Sequence, residues 1–142
     1  MRKSLFHTGP LFAGALDAGL LLLRLGTGGL LAPHGYDKLL TLLAGQSADF
    51  PDPLGVGPLA SHVLAVGGEL VCSLLVILGL LTRPALIGLL LTTATIVLGV
   101  HAQDSFADRE HALLFLIPAG VLFLTGPGRY ALDARWAARR RY

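Results

Sequence analysis

The sequence predicts an all-α integral membrane protein, a bundle of four transmembrane helices with both termini on the cytoplasmic side. Its 142 residues are 54% hydrophobic and only 14% charged, whereas soluble domains carry about 25% charged residues. The apolar residues also fall in long blocks rather than along amphipathic stretches. A spanning helix needs roughly 17 to 25 mostly apolar residues, and three of the blocks reach that length.

Four spans are predicted in one transmembrane domain that covers residues 1–142, and they lie at about residues 11–32, 59–81, 84–101 and 108–125. The last apolar run is short, and it reaches membrane length only if its helix starts at Asp108 as N-cap, with Glu110 and His111 in the first turn. Residues 39–58 are predicted to lie outside the membrane: prolines and glycines break any helix over residues 45–58, and the apolar residues 39–44 either extend the first helix or lie along the outer surface. Residues 126–142 form a cytoplasmic tail. None of the runs alternates as lipid-facing barrel strands do.

The orientation follows from the basic residues. Eight of the eleven Lys and Arg residues fall on one side of the predicted spans, namely Arg2, Lys3, Arg83, Arg129, Arg135, Arg139, Arg140 and Arg141. The positive-inside rule makes that side cytoplasmic. We therefore expect a multi-pass protein of a bacterial or archaeal cytoplasmic membrane, whose basic tail contacts lipid rather than nucleic acid.

The N-terminus resembles a secretory signal only superficially. Arg2 and Lys3 precede an apolar stretch, but Asp17 and Arg24 interrupt it and no small-x-small cleavage pattern follows. We expect the segment to be retained as the first span.

Two charged residues lie near the middle of the predicted spans, Arg24 thirteen residues into the first and Glu69 ten residues into the second. A charge at the bilayer centre costs about 2.5–3.5 kcal/mol, so such residues are normally paired. We predict an Arg24–Glu69 ion pair near mid-membrane, with Asp17 sharing the arginine, and interpret the pair as catalytic. A purely structural pair that fixes the helix register is the alternative.

Four of the five histidines fall at the predicted outer ends of the spans: His34, His62, His101 and His111. Lys38 and Glu110 lie at the same level. If these residues face inward, a polar funnel leads from the outer surface to Arg24 and Glu69.

Three chemistries fit such a funnel. The four histidines are candidate ligands of zinc or copper, which imidazole and carboxylate groups suit. His34, Lys38 and Glu110 are candidates for binding a quinone, because they can donate hydrogen bonds and carry protons. Two facing histidines could also hold a haem. Alternatively, the histidines simply meet water at the interface, and no HExxH or HxxxH spacing supports a metal.

The single cysteine, Cys72, excludes a disulfide, an Fe–S cluster and covalent c-type haem within one chain. Any thiol chemistry therefore needs a partner subunit.

Several short motifs occur in a defined order: LRLG at residues 23–26, HGYDKL at 34–39, GLLTRP at 79–84 and GPGRYALD at 126–133. With Glu69 and Glu110 they resemble the DoxX family of small membrane proteins over nearly the whole chain. The resemblance implies a four-helix membrane protein tied to redox systems, with relatives linked to thiosulfate:quinone oxidoreduction or to complexes that handle thiols and oxidative stress. The outer loop and the histidines other than His34 lie outside that pattern.

The leading hypothesis is a DoxX-type membrane subunit of a quinone-linked system that oxidises thiols or sulfur compounds. Arg24 and Glu69 form its polar core, and its electron donor is a separate subunit. The alternative is a non-catalytic membrane scaffold or chaperone, or a metal-binding protein that uses the outer histidines. Either one contacts the lipid bilayer and a protein partner or further copies of itself.

Overall fold

A computed structural model describes the backbone of residues 10–139 and the side chains of residues 14–139. Arg2, Lys3, Arg140 and Arg141, which entered the orientation argument, lie outside these residues. The described chain is entirely helical, without a β-strand, and this confirms the predicted all-α class. Its helices are α1 (Pro10–Leu43), α2 (Pro58–Leu78), α3 (Thr82–Val100), α4 (Phe106–Thr125) and α5 (Leu132–Arg139).

Three of these helices are long and apolar enough to cross a membrane, over Gly14–Leu43, Pro58–Leu78 and Thr82–Val100. The 20-residue α4 is more polar at its start. It begins at Phe106 and its N-cap is Ser105, so the prediction of Asp108 as N-cap is wrong. Ser105 instead donates a hydrogen bond from Oγ to the Asp108 carboxylate, at 2.7 Å.

The helices pack in a ring, in which α2 and α4 each contact both α1 and α3. Apolar side chains fill the centre, and the completely buried ones are Val76, Leu86, Leu89, Ala119 and Leu122. Other leucines point outward, with Leu98 75% and Leu124 80% exposed. An apolar interior surrounded by an apolar exterior is the pattern of a protein whose surroundings are lipid.

Helix α1 runs eleven residues beyond its predicted end at residue 32. It packs closely on α2 because two glycines face that helix: Gly28 lies against Ser73 and Ile77, and Gly35 against the backbone of Glu69 and Leu70. A Cβ atom at either glycine would overlap those atoms, so both positions require a residue without a side chain. This pairing sets the register of the two antiparallel helices.

The structure has two ends, the loop end and the tail end. The loop end carries residues 44–57 and the start of α4. The tail end carries the turn at residues 79–81 and α5.

Candidate functional site

A cavity of about 940 Å³ lies between α2 and α3 at the loop end. Small-molecule sites have volumes of about 300–1,000 Å³ and are mostly apolar with a few polar groups. This cavity fits that description, with polar side chains from Lys38, Ser61, Glu69, Thr92, Thr95 and His101 among apolar ones. Pro51, Pro53 and Leu54 of the long loop also line it.

Glycines shape the walls of the cavity. Gly99 of α3 lies against Pro53, since a Cβ there would come within 2.7 Å of the proline ring. Gly88 of α3 lies against the Cys72 thiol in the same way, also at 2.7 Å. The proline thus closes the loop side of the cavity, and the Cys72–Gly88 contact holds α2 and α3 together beside it.

Glu69 lies in a π-helical turn of α2, Gly67–Val71. Such turns are frequent at functional sites. The Glu69 side chain is 1% exposed and forms an ion pair with Lys38 of α1, whose side chain is 29% exposed. Its second carboxylate oxygen, Oε2, is buried and has no hydrogen-bond partner among the described residues. A buried acceptor without a partner is costly, so this oxygen is suited to accept a hydrogen bond or a proton from a ligand.

The predicted Arg24–Glu69 pair is wrong, because Glu69 pairs with Lys38 instead. The error arose from the length of α1. With the helix extended to Leu43, Glu69 meets α1 near Gly35, while Arg24 lies against Gly79, ten residues further along α2. Ten helical residues span about 15 Å, so the two charges lie at different levels.

Arg24 belongs to the tail end. Arg24 is 1% exposed, and its guanidinium lies against Gly79. Asp17 does not share it as predicted: the Asp17 carboxylate accepts the backbone N–H of Arg129 at 3.0 Å and lies 3.7 Å from the Arg129 side chain. The Nε and Nη1 atoms of Arg24 are buried without a hydrogen-bond partner among the described residues, and its charge acts on Asp133.

Asp133 completes the tail end. Its carboxylate accepts hydrogen bonds from the backbone N–H of Leu81 at 2.9 Å, the N–H of Thr82 at 2.8 Å and the Thr82 hydroxyl at 2.7 Å. Burial raises the pKa of Asp133, but these hydrogen bonds and the charge of Arg24 outweigh it, so the pKa lies below its usual value. Asp133 therefore holds the start of α3 to α5 as a structural carboxylate.

The four histidines predicted as metal ligands do not come together. His62 is completely buried, with Nδ1 3.0 Å from the Ser47 hydroxyl and Nε2 2.9 Å from the Lys38 carbonyl, and it stacks on Phe50 with ring centroids 4.0 Å apart. Both of its ring nitrogens are thus engaged. It fixes the long loop to the helices rather than facing a funnel.

The remaining histidines separate into two places. His101 lies 2.8 Å from Asp104 at the end of α3 and lines the cavity. His34 and His111 face each other across α1 and α4, with their Nε2 atoms 3.3 Å apart. No group of three or more His, Cys, Asp or Glu residues suited to a metal occurs among the described residues.

Of the residues predicted to bind a quinone, the cavity contains Lys38 but neither His34 nor Glu110, which is exposed on α4. The predicted funnel residues therefore lie in two separate places: Lys38 and Glu69 at the cavity between α2 and α3, and His34 and His111 between α1 and α4. The Lys38–Glu69 pair and the role of Asp133 were not predicted from the sequence. The apolar residues 39–43, which continue α1, are the signal that would have shifted the register toward Lys38.

Comparison with known proteins identifies the family. The DoxX family profile matches residues 19–102. Among curated proteins, the uncharacterized membrane protein Rv3486 of Mycobacterium tuberculosis (strain ATCC 25618 / H37Rv) is 35% identical over 117 aligned residues, with 66% of this chain and 72% of that protein covered. No solved structure matches significantly. The family profile and the relative agree with the motif resemblance, and this membrane protein belongs to the DoxX family.

Proposed function

We propose that this chain is the membrane subunit of a redox system, and that it binds a quinone in the cavity between α2 and α3. The observation that carries the proposal is the polar end of an otherwise apolar cavity. There a buried carboxylate, Glu69, keeps one oxygen without a partner beside the Lys38 ammonium. In this proposal all four long helices cross the cytoplasmic membrane, since α4 packs against two of the three apolar spans, α1 and α3. Both termini are then on the same side, which we propose is the cytoplasm.

The cavity walls match the two chemical parts of a lipid-soluble quinone. Val63, Leu64, Val71 and Leu91 are exposed on the outer surface of α2 and α3 and also line the cavity. An apolar chain can therefore enter from the lipid without crossing a polar barrier. A carbonyl-bearing ring at the inner end is near Lys38, which can donate a hydrogen bond to it.

A bound quinone supplies a two-electron, two-proton acceptor. Glu69 is the chain's own proton carrier, because a carboxyl group with one unengaged oxygen can take up and release a proton there. Lys38 stabilises negative charge next to it, and the apolar walls exclude water from the reacting groups. Ionisable groups within membrane helices commonly serve such proton transfers.

The electrons come from a partner in this proposal. The chain has one cysteine, Cys72, so a donor centre built on several thiolates belongs to another subunit. We propose a donor subunit that oxidises thiols or inorganic sulfur compounds, as the family resemblance implies. The two electrons pass to the quinone, and the protons enter through Glu69.

Quinone binding by the purified chain tests the proposal. Wild-type protein in lipid nanodiscs is titrated with a short-chain quinone and, without oxygen, with its reduced quinol, and binding is followed by native mass spectrometry. We expect Glu69→Gln to weaken quinol binding at least tenfold, or about 1.4 kcal/mol, because the carboxylate that accepts the quinol O–H group is lost. Lys38→Met should weaken it similarly by removing the hydrogen-bond donor.

The matched control is Glu110→Gln, which changes the same side chain on α4 outside the cavity. It should bind quinone as the wild type does. Equal binding by the Glu69 and Glu110 variants would refute the assignment of the site. Absence of quinone binding in the wild type, with a co-purifying protein instead, would favour the scaffold alternative.

A further inference from the structure

We propose that His34 and His111 form a second site, which binds a single divalent transition-metal ion between α1 and α4. Neither histidine lines the cavity of the proposed quinone site. The inference therefore rests on different residues and does not depend on quinone binding.

The distance between the two imidazoles matches a shared ion. Nitrogen ligands lie about 2.0–2.1 Å from Zn²⁺, and two of them at a tetrahedral angle are about 3.3–3.4 Å apart. The Nε2 atoms of His34 and His111 are 3.3 Å apart. The same separation also allows one ring N–H to donate a hydrogen bond to the other nitrogen. The two nitrogens are therefore placed either to bond each other or to share one ion, and metal titration distinguishes the two arrangements.

The aromatic surroundings hold both rings in position. The rings of His34 and His111 meet edge to face, with centroids 5.1 Å apart at 75°. Phe115, one turn along α4, contacts both rings edge to face at 6.2 and 5.4 Å. Phe115 is itself 7% exposed. A rigid aromatic contact limits ring rotation, so less entropy is lost when an ion binds.

Charge and access also favour a cation here. Both histidines are exposed, so an ion can reach them from water at the polar start of α4. Asp108 and Glu110 precede His111 on α4, and Asp37 follows His34 by one turn of α1. These exposed carboxylates attract cations to this end of the molecule.

Two protein ligands leave the other coordination positions to water. Imidazole suits Zn²⁺, Cu²⁺ and Ni²⁺, and affinity for a given site rises to a maximum at Cu²⁺. We therefore expect Cu²⁺ to bind more tightly than Zn²⁺ or Ni²⁺. Acid should weaken binding, because protons compete with the metal for the same Nε2 atoms.

Copper binding measured by electron paramagnetic resonance and calorimetry tests the site. Metal-free full-length protein in nanodiscs is titrated with Cu²⁺. We expect the wild type to show splitting from two imidazole nitrogens. His34→Gln and His111→Gln should each lose one nitrogen from the spectrum and weaken binding at least tenfold. Glutamine keeps a hydrogen-bonding group at each position, so the helix contact is retained.

The control is His101→Gln, which removes a histidine held by Asp104 at the end of another helix. It should leave the two-nitrogen spectrum and the affinity unchanged. Wild-type binding through a single nitrogen would overturn the site and leave the pair as a histidine–histidine contact. Affinity in the His34 and His111 variants equal to that of the wild type would do the same.

Discussion

Glu69 and Asp133 are both carboxylates with basic neighbours, but their hydrogen bonding is opposite. Asp133 at the tail end accepts three hydrogen bonds from Leu81 and Thr82 and lies near the charge of Arg24. Glu69 is more deeply buried, yet one of its oxygens pairs with Lys38 and the other with no described residue.

The difference separates structural from functional charge. A carboxylate whose hydrogen bonds are all made within the chain stabilises a turn and has no capacity left for a ligand. A buried carboxylate with an open position costs stability, and such groups persist where they serve a ligand or a proton. We interpret Asp133 as structural and Glu69 as functional on this ground.

The largest expected effect is on stability at the tail end. Asp133→Ala leaves the N–H groups of Leu81 and Thr82 without their acceptor and removes the anion near Arg24. We expect a loss of about 3 kcal/mol in the free energy of unfolding, from hydrogen bonds to a charged group, measured by denaturant titration in detergent. Asp49→Ala, at an exposed position of the long loop, is the control and should cost less than about 0.5 kcal/mol. A loss no larger than the control's would contradict the structural role.

Acid should remove the same stabilisation more gradually. The pKa of Asp133 in the folded chain is below its ordinary value of 3.8, so its contribution is complete above that value and falls as the pH drops through the folded pKa. The pKa of Asp52 is also lowered, since its carboxylate accepts hydrogen bonds from the Ser61 hydroxyl and from the backbone N–H groups of Gly57 and Val56. The difference in unfolding free energy between wild type and Asp133→Ala isolates Asp133.

That difference should shrink as the pH falls from about 5 through the folded pKa of Asp133. Once Asp133 is protonated in both the folded and the unfolded chain, its charged hydrogen bonds no longer favour folding. A difference that stays constant over this range would show that the carboxylate contributes little as an anion.

Much of the fold was predictable because membrane helices follow simple rules of length and composition. The apolar blocks gave the all-helical class and the three spans that meet the length criterion. The end of α1 was predicted only as one of two alternatives, because the apolar residues 39–44 follow Asp37 and Lys38 and fit either an extension of the first helix or a segment along the outer surface. Only packing of Gly35 on the backbone of α2 resolves it.

The candidate site depended on that one boundary. Glu69 was singled out because a buried charge is rare in a spanning helix, and Lys38 because it lies with His34 at the predicted outer end of the first span. Their pairing was missed because the shorter α1 placed Arg24 opposite Glu69. His62 was misassigned for a different reason: its partners, Ser47 and Phe50, come from the long loop, whose path has no periodic pattern to predict it.

The smallest expected effect on stability is at the pair proposed to act. Replacing a buried ion pair with apolar residues of similar size is often neutral or stabilising, because neither charge must then be desolvated. We expect the double variant Lys38→Met and Glu69→Met to change the unfolding free energy by less than about 1 kcal/mol, or to increase it. The same variant should lose quinone binding, since the donor and the proton carrier are both gone. A loss of stability like that of Asp133→Ala would instead make the pair a structural element, and Glu69 would then have no claim to a different role from Asp133.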